Sequence, residues 1–386
     1  MDANTLALMA QGFGNALDPM NLLMMAIGVT IGVIVGCMPG LSAAMGVALL
    51  LPLTFGMKAE TGLIMLGGIY CGAIFGGSIC AILIHTPGTP ASAATALDGY
   101  ELTKQGRAGK ALGTACTASF FGGLLSCISL YFFAPLLAEL AMKFGSPEYF
   151  WLALFGLTII ACFLGYNTAK QFSKTPEKFG HGSIEGVAGS EAANNAVTGG
   201  SLIPTLTLGI PGESVTAVLM GGLIIQSLQP GPELFTKYAP MTYTFFAGFV
   251  IVQFFMLLIG LGGCRIFAHI AKISDAILIP CIFVLCVVGS FAINNGFVDV
   301  VLMFIFGVMG YLMRKMGLNT AAVVLALILG PIGERGLRRS LTLSGNDISI
   351  LFSTPICWGL IILCVLSAFS PLLMDWLKKG KAAIKG

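Results

Sequence analysis

Two short segments of this chain interrupt apolar sequence with proline, glycine and hydroxyl-bearing residues. The first reads T-P-G-T-P-A-S-A-A-T-A-L over residues 86–97, and the second reads G-I-P-G-E-S-V-T-A-V over residues 209–218. Aligned on Pro90 and Pro211, both read P-x-x-x-x-T-A followed by an aliphatic residue. A helix that begins after such a break presents unpaired backbone N–H groups and the positive end of its dipole. That combination can hold a carboxylate without a buried cation.

Hydroxyls are the other polar groups that the two breaks offer to an anion, since neither break contains lysine or arginine. The available hydroxyls belong to Thr86, Thr89, Ser92, Thr95, Ser214 and Thr216. They predict contacts to an anionic ligand; alternatively, they only cap the N-termini of ordinary helices. Two matching breaks favour the first interpretation, because paired broken apolar segments point to the binding site of a transporter.

Four further polar side chains precede the second break: Glu185, Glu191, Asn194 and Asn195. Ionisable residues beside membrane segments are costly and are therefore functional candidates. Amide oxygens together with freed backbone carbonyls can hold Na⁺, so we predict an ion site at Asn194 and Asn195. The alternative is a polar, helix-capping loop in the headgroup region, which is the preferred interpretation for Glu185.

The composition indicates what kind of protein positions these segments. The 386 residues are 56% hydrophobic and only 10% charged, with a mean hydropathy of +0.93, whereas about a quarter of a soluble domain is charged. We therefore predict an all-α polytopic membrane protein with discontinuous or re-entrant helices. The formal net charge of +3 is too small to indicate a nucleic-acid partner.

Motifs of catalysis and of metal binding are absent from the sequence. It contains no G-x-S-x-G, H-E-x-x-H or P-loop pattern, so we predict a non-enzyme without catalytic residues. The 11 cysteines are scattered and form no C-x-x-C, which favours apolar packing over a metal or redox site. His85, beside the first break, is interpreted as a structural hydrogen-bond donor rather than a proton relay.

Apolar runs that could form membrane helices occur along the whole chain. They lie at approximately 21–36, 61–84, 111–142, 149–164, 243–262, 276–293, 297–313, 321–330 and 350–374. Pro135 is expected to bend or end its helix, and a Pro-Gly break at residues 39–40 predicts a further discontinuous helix. The 51 glycines predict close packing between helices.

Charged segments give an incomplete topology. The positive-inside rule places the loop at 98–110 in the cytoplasm, and the amphipathic segment 167–182 is expected on the cytoplasmic membrane surface. Arg335, Arg338 and Arg339 lie one apolar run away from the basic tail at 378–386, so the rule cannot hold for both. Either the run at 321–330 is re-entrant and the arginines are interfacial, or the rule fails here.

Two long motifs resemble a known family. They are I-L-I-H-T-P-G-T-P-A-S-A-A-T-A-L-D-G-Y-E-L-T-K-Q-G-R-A-G-K-A-L-G at 82–113 and F-G-H-G-S-I-E-G-V-A-G-S-E-A-A-N-N-A-V-T-G-G-S-L-I-P-T-L-T-L-G-I-P-G at 179–212. Shorter similar segments occur at 36–42, 49–56 and 327–345. The chain thus resembles, over nearly its whole length, the large membrane subunit of tripartite tricarboxylate transporters.

This resemblance implies a multi-pass permease of the bacterial inner (plasma) membrane. It would import tricarboxylates or related organic carboxylates, driven by a gradient of Na⁺ or H⁺ as coupling ion, with no other cofactor. A periplasmic solute-binding protein and a small membrane subunit would be its partners. We then expect substrate contacts from Pro39, Gly40, Thr86, Gly88, Thr89, Ser92, Thr95, Pro211, Gly212, Ser214 and Thr216.

The chain departs from the family in its second half. Family members have two related halves, each with an early and a late Pro-Gly break, but here the early break of the second half is missing. We therefore divide the chain into a first transporter half, 1–161, and an incomplete second half, 162–386. The alternative to a working transporter is a truncated, transport-incompetent membrane remnant or the product of an incorrectly predicted gene.

Overall fold

The computed structural model of the protein describes residues 3–38, 41–87, 89, 92–156, 164–270, 275–294, 296–316 and 320–365. In these ranges the chain is helical and contains no strand, which confirms the all-α prediction. In chain order the helices are α1 (Ala3–Ala16), α2 (Pro19–Cys37), α3 (Ala43–Leu50), α4 (Ala59–Ile84), α5 (Ser92–Lys104), α6 (Ala108–Ala141), α7 (Ser146–Gly156), α8 (Leu164–Phe172), α9 (Ile184–Leu208), α10 (Ser214–Ile225), α11 (Glu233–Thr236), α12 (Ala239–Ile270), α13 (Asp275–Asn294), α14 (Phe297–Lys315), α15 (Thr320–Leu343) and α16 (Pro355–Val365).

Four of the described helices, α2, α4, α6 and α12, are long and apolar enough to cross a membrane. Shorter apolar stretches include α3, α10, α16 and residues 297–313 of α14. Such short apolar helices arise where a break divides a run, as happens between α2 and α3 and between α9 and α10. The chain is therefore a membrane protein with discontinuous helices.

Helix α4 lies at the centre of the protein and is buried along almost its whole length. Its glycines interlock with those of α2. A Cβ atom on Gly32 would lie 2.4 Å from the carbonyl oxygen of Ile69, and one on Gly72 would lie 2.5 Å from that of Val29. Only glycine allows this approach of the two backbones, so the predicted role of glycine in helix packing is confirmed here.

The predicted breaks fall between helices. Helix α4 ends at Ile84, where His85 adopts a left-handed conformation (φ 57°), and α9 ends before Gly209 (φ 67°). The imidazole of His85 packs on the ring of Tyr100, with centroids 4.7 Å apart. Of the residues that form the breaks, Pro39, Gly40, Gly88, Pro90 and Ala91 lie outside the described residues.

Three expectations about helix ends can be compared with the structure. Helix α6 runs through Pro135, so this proline does not end the helix, and the alternative that it bends the helix stays a prediction. Helix α9 begins at Ile184, so its polar first half is helical, and the headgroup loop suggested for Asn194 and Asn195 does not exist. Helix α15 is continuous from Thr320 to Leu343, so the apolar run at 321–330 and Arg335 belong to one helix, and both alternatives for the topology of this run stay predictions.

Candidate functional site

Helix α9 turns a polar face towards the interior of the protein. The buried polar residues that share this face are Glu191, Asn194, Asn195, Thr198, Ser201 and Thr205. Their spacing of three, one, three, three and four residues keeps all of them on one side of a helix. A polar stripe of this kind is costly inside a protein unless it is hydrogen-bonded or occupied by a ligand. We call it the polar face of α9.

The carboxyl group of Glu191 is fully buried at the N-terminal end of this face and is surrounded by hydroxyls from three other helices. Ser78 Oγ of α4 donates to Oε1 at 2.6 Å, and Ser119 Oγ of α6 donates to Oε2 at 2.9 Å. Thr95 Oγ1 of α5 also hydrogen-bonds to Oε1, and it lies 3.0 Å from Ser190 Oγ. A negative charge here is held by neutral donors.

Within the described part of the chain, no cationic side chain forms an ion pair with the Glu191 carboxyl group. The ion pairs formed between described residues, Lys104–Glu101 and Arg338–Glu334, are exposed and involve neither Glu191 nor Glu213. The breaks contain no lysine or arginine, and among the described residues the folded site likewise offers no lysine or arginine as an ion-pair partner to Glu191 or Glu213.

Two amides beside Glu191 keep unsatisfied polar atoms. Asn194 Nδ2 lies 3.5 Å from Ser78 Oγ, but Oδ1 of the same side chain has no hydrogen-bond partner among the described residues. Asn195, one residue further along α9, is fully buried, and both of its side-chain polar atoms likewise lack a partner there. Buried polar atoms are rarely left unpaired in native structures, so these amides are candidates for ligand contact.

Close packing of α6 on α9 brings Ser119 to the carboxyl group. A Cβ atom on Gly122 would lie 2.0 Å from the carbonyl oxygen of Ala192, and one on Gly199 would lie 2.5 Å from Ser126 Oγ. The two helices therefore pack very closely at both places. Ser119 lies one turn from Gly122 on α6, and Glu191 lies next to Ala192 on α9. The close contact between Gly122 and Ala192 therefore brings Ser119 within hydrogen-bond distance of Glu191.

A second polar cluster forms at the break between α9 and α10. The hydroxyl of Tyr70 on α4, which is fully buried, bonds to Oε1 of Glu213 and lies 3.0 Å from Ser201 Oγ. The backbone N–H of Gly212 donates to Thr205 Oγ1 at 3.3 Å. A Cβ on Gly212 would lie 2.8 Å from Ser201 Cα, so glycine is needed for the break to pack on α9.

The N-terminus of α10 is capped by its own residues. Glu213 and Thr216 form a reciprocal capping box, in which Thr216 Oγ1 accepts from Glu213 N–H at 3.1 Å. Thr216 is fully buried, whereas Ser214 is half-buried. The hydroxyl of Thr216, which was predicted to contact a ligand, thus already has a protein partner. That partner, Glu213, was not among the predicted site residues.

The first break places its predicted residues in different surroundings. Thr89 and Ser92 are buried and cap each other, with Ser92 Oγ donating to the Thr89 carbonyl at 2.8 Å. Thr86 is exposed and bonds only locally. Thr95 is fully buried and hydrogen-bonds to Glu191. Of the predicted hydroxyls in this break, all of which the structure describes, Thr95 alone therefore joins the polar face of α9.

Asp98 of α5 fixes the start of α9. Its Oδ1 accepts three backbone hydrogen bonds, from Gly180 at 2.8 Å, Gly182 at 2.9 Å and Ser183 at 2.8 Å. Ser183 is the N-cap of α9. Nearby, burial and then the negative charge of Asp98 raise the pKa of Tyr166 above its usual value. Helices α5 and α9, which carry Thr95 and Glu191, are thereby held in register.

The two clusters lie at different depths along the same pair of helices. Glu191 and Ser201 are ten residues apart, which is roughly 15 Å along α9. Their partners Ser78 and Tyr70 lie in the opposite order on α4, so α4 and α9 run antiparallel with polar groups between them. Helices α5 and α10 each pack on α4 and α9. The candidate site is therefore this interhelical seam.

An open cavity of about 1160 Å³ lies elsewhere, beside the C-terminal end of α9. Its lining includes Leu208, Gly209, Glu233, Arg335 and Arg339 but none of the residues of the polar face of α9. The arginines of α15 thus face an open, partly polar cavity near the second break, outside the buried seam.

Sequence comparison identifies a family profile and relatives that match this chain. The sequence profile of the Tripartite tricarboxylate transporter TctA family matches the chain in two stretches, residues 22–163 and 159–325. An uncharacterised 52.8 kDa protein in the TAR-I ttuC' 3' region of Agrobacterium vitis is 31% identical over 478 aligned positions, covering 93% of this chain and 95% of the relative. An uncharacterised protein in the TAR-II ttuC' 3' region of the same organism is 35% identical over 216 positions, covering 55% of this chain and 89% of the relative.

No solved structure matches the chain. The two stretches of the family profile together cover most of the chain, and the longer relative is aligned with nearly all of it. The chain therefore belongs to the Tripartite tricarboxylate transporter TctA family and is a membrane subunit of a tripartite tricarboxylate transporter.

Proposed function

We propose that this protein is the permease that moves tricarboxylates or related organic carboxylates into the cell across the bacterial inner membrane. A periplasmic solute-binding protein would deliver the substrate, a small membrane subunit would complete the complex, and a Na⁺ or H⁺ gradient would drive uptake. Family membership supports the substrate class and the existence of partners. Four described helices that are long and apolar enough to cross a membrane support the location in a membrane.

The observation that carries the proposal is that α5 and α10, the two helices that follow the breaks, both pack on one polar seam. Helices α5 and α10 begin directly after their breaks, and both contact α4 and α9. Each therefore presents the positive end of its dipole beside buried polar groups. In secondary transporters, substrates bind at such half-helix N-termini near the middle of the bilayer.

The substrate contacts follow from this arrangement. We propose that the carboxylates bind backbone N–H groups and hydroxyls of the predicted set, which is Pro39, Gly40, Thr86, Gly88, Thr89, Ser92, Thr95, Pro211, Gly212, Ser214 and Thr216. Within the described part of this set, Thr95 and Thr216 are fully buried beside Glu191 and Glu213. The coupling ion would bind near Asn194 and Asn195, whose unpartnered amide oxygens support an ion ligand role.

Uptake by reconstituted protein tests the proposal. Proteoliposomes that contain the chain with its two partner subunits should accumulate labelled citrate when an inward Na⁺ or H⁺ gradient is imposed. We expect Thr95→Val and Thr216→Val, which keep the side-chain shape but remove the hydroxyl, to lose most of this uptake. Unchanged uptake in both variants would overturn the site assignment, and no uptake of any carboxylate by the wild type would overturn the transport function.

A second candidate, a membrane protein that no longer transports, is supported by the length of the alignment. The aligned region with the longer relative has 478 positions, whereas this chain has 386 residues, so the relative carries segments that this chain lacks. The two matched stretches of the family profile meet at residues 159–163, where we place the missing segments. Sequencing the gene around codons 158–163 distinguishes a real short form from a gene-prediction error.

A further inference from the structure

We infer that Glu191 is the anionic ligand of a buried Na⁺ site formed by α4, α5, α6 and α9. The inference deepens the proposed function by assigning the coupling ion to particular atoms. Only the role of the bound Na⁺ in transport rests on the proposed function. The proposed oxygen ligands are the Glu191 carboxylate, the hydroxyls of Ser78, Thr95 and Ser119, and the amide oxygens of Asn194 and Asn195. Thr95 would be shared between this ion site and the proposed substrate site.

The first argument concerns charge. Glu191 is fully buried and takes part in no ion pair among described residues. Its hydrogen bonds come from the neutral hydroxyls of three side chains, and a buried carboxylate without a charged partner is strongly disfavoured compared with one that binds a cation or a proton. A bound Na⁺ would supply the missing positive charge inside the seam.

The second argument concerns the ligand atoms. The groups around Glu191 are carboxyl, hydroxyl and amide oxygens, which are hard donors that suit a hard cation. Each hydroxyl has two lone pairs and a rotatable proton, so it can turn from donating to the carboxylate to ligating an ion. The described residues contain no cluster of three or more His, Cys, Asp or Glu side chains, so the chemistry does not favour a transition metal.

The third argument separates a cation from a proton. Protonation of Glu191 would supply a single O–H donor, which can satisfy one neighbouring acceptor, whereas the amide oxygens of both Asn194 and Asn195 lack a partner among the described residues. Asn194 is only 4% exposed and contacts the same Ser78 hydroxyl that binds Glu191. Asn195 is fully buried one turn from Glu191 with its Oδ1 also unpartnered within the described ranges. One cation would satisfy the charge and the unpaired oxygens together.

Equilibrium binding of radioactive Na⁺ to the purified full-length protein, without any carboxylate, tests this inference. We expect saturable binding by the wild type. Glu191→Gln, which keeps the size of the side chain, should weaken it at least tenfold, and Ser119→Ala should weaken it several-fold while retaining the carboxylate. The matched control is Glu185→Gln, because Glu185 lies on the same helix but is exposed and bonds to Ser173.

Size-exclusion chromatography establishes that each variant is folded before binding is measured. Saturable binding that survives in Glu191→Gln, or its absence in the wild type, overturns the inference. If Glu191→Gln does not fold, the comparison of Ser119→Ala with Glu185→Gln decides. Equal affinities of these two variants for Na⁺ overturn the inference, and a loss of Na⁺ affinity confined to Ser119→Ala supports it. Because no carboxylate is present, Na⁺ binding without any citrate uptake would count against the proposed transport function alone.

Discussion

Ser78 and Glu191 are 113 residues apart in sequence, and Ser78 Oγ donates a 2.6 Å hydrogen bond to Oε1 of Glu191 in the protein interior. The bond joins α4, which is buried along nearly its whole length, to the polar face of α9. The same hydroxyl is contacted by Asn194 Nδ2. Ser78 is thus the point at which the central helix meets the candidate ion site.

Replacing this serine is expected to destabilise the protein. Ser78→Ala removes one donor from a buried carboxyl group and leaves Asn194 Nδ2 unpaired, which should cost about 1–3 kcal/mol of unfolding free energy. Denaturant unfolding in detergent measures the effect. The control is Ser129→Ala on α6, whose hydroxyl bonds within its own helix to Leu125 at 3.0 Å and should contribute little. Equal losses in the two variants would contradict the importance of the buried contact.

The backbone contact between α6 and α9 gives a second prediction. Gly122→Ala would place a methyl group 2.0 Å from the Ala192 carbonyl oxygen, so the helices must separate. We expect a loss of about 1–3 kcal/mol in unfolding free energy, as for other overpacked sites. Na⁺ binding should weaken as well, because Ser119 moves away from Glu191.

Helix α6 also supplies the control for this experiment. Gly113 lies in the same helix, and no described atom would lie within 4 Å of an added Cβ. Gly113→Ala should therefore be neutral or stabilise the protein by up to about 1 kcal/mol through helix propensity. If Gly122→Ala were as harmless as Gly113→Ala, the close approach of the two helices would be wrong.

A third prediction concerns the start of α9. Asp98→Ala leaves the backbone N–H groups of Gly180, Gly182 and Ser183 without their acceptor. Each orphaned donor costs about 1–3 kcal/mol, so we expect a clear loss of stability and faster amide exchange at these three residues. Hydrogen exchange read by mass spectrometry reports both.

The matched variant for this test is Asp98→Asn. It keeps an acceptor oxygen, and it should preserve most of the protection at residues 180–183. Glu101→Gln, on the same helix and in an exposed pair with Lys104, should have no effect on that protection. Unchanged exchange in Asp98→Ala would show that α9 is positioned by other contacts.

The sequence predicted much of the fold because breaks and apolar runs are local signals. The end of α4 at Ile84 and the beginning of α10 at Ser214 follow from proline and glycine in the chain. The continuity of α6 through Pro135 does not follow, because membrane helices tolerate a proline whose freed backbone group is satisfied by its surroundings.

The candidate site was only partly predictable. Asn194, Asn195 and Thr95 were selected from the sequence, and all three are buried on or beside the polar face of α9. Ser78, Ser119 and Tyr70 were missed, because they lie in apolar helices and meet α9 only through tertiary packing. The helical spacing of polar residues from Glu191 to Thr205 was a local signal that could have revealed the buried face.

The most direct test of the account is thermal unfolding of the purified full-length protein titrated with citrate in NaCl and, separately, in KCl at equal ionic strength. A ligand that binds the native state raises the melting temperature as its concentration rises. Linked binding of substrate and cation requires that Na⁺ increase the affinity for citrate. We therefore predict a concentration-dependent rise that is larger in NaCl. A melting temperature that no tricarboxylate or dicarboxylate changes in either salt would contradict a carboxylate site in this chain.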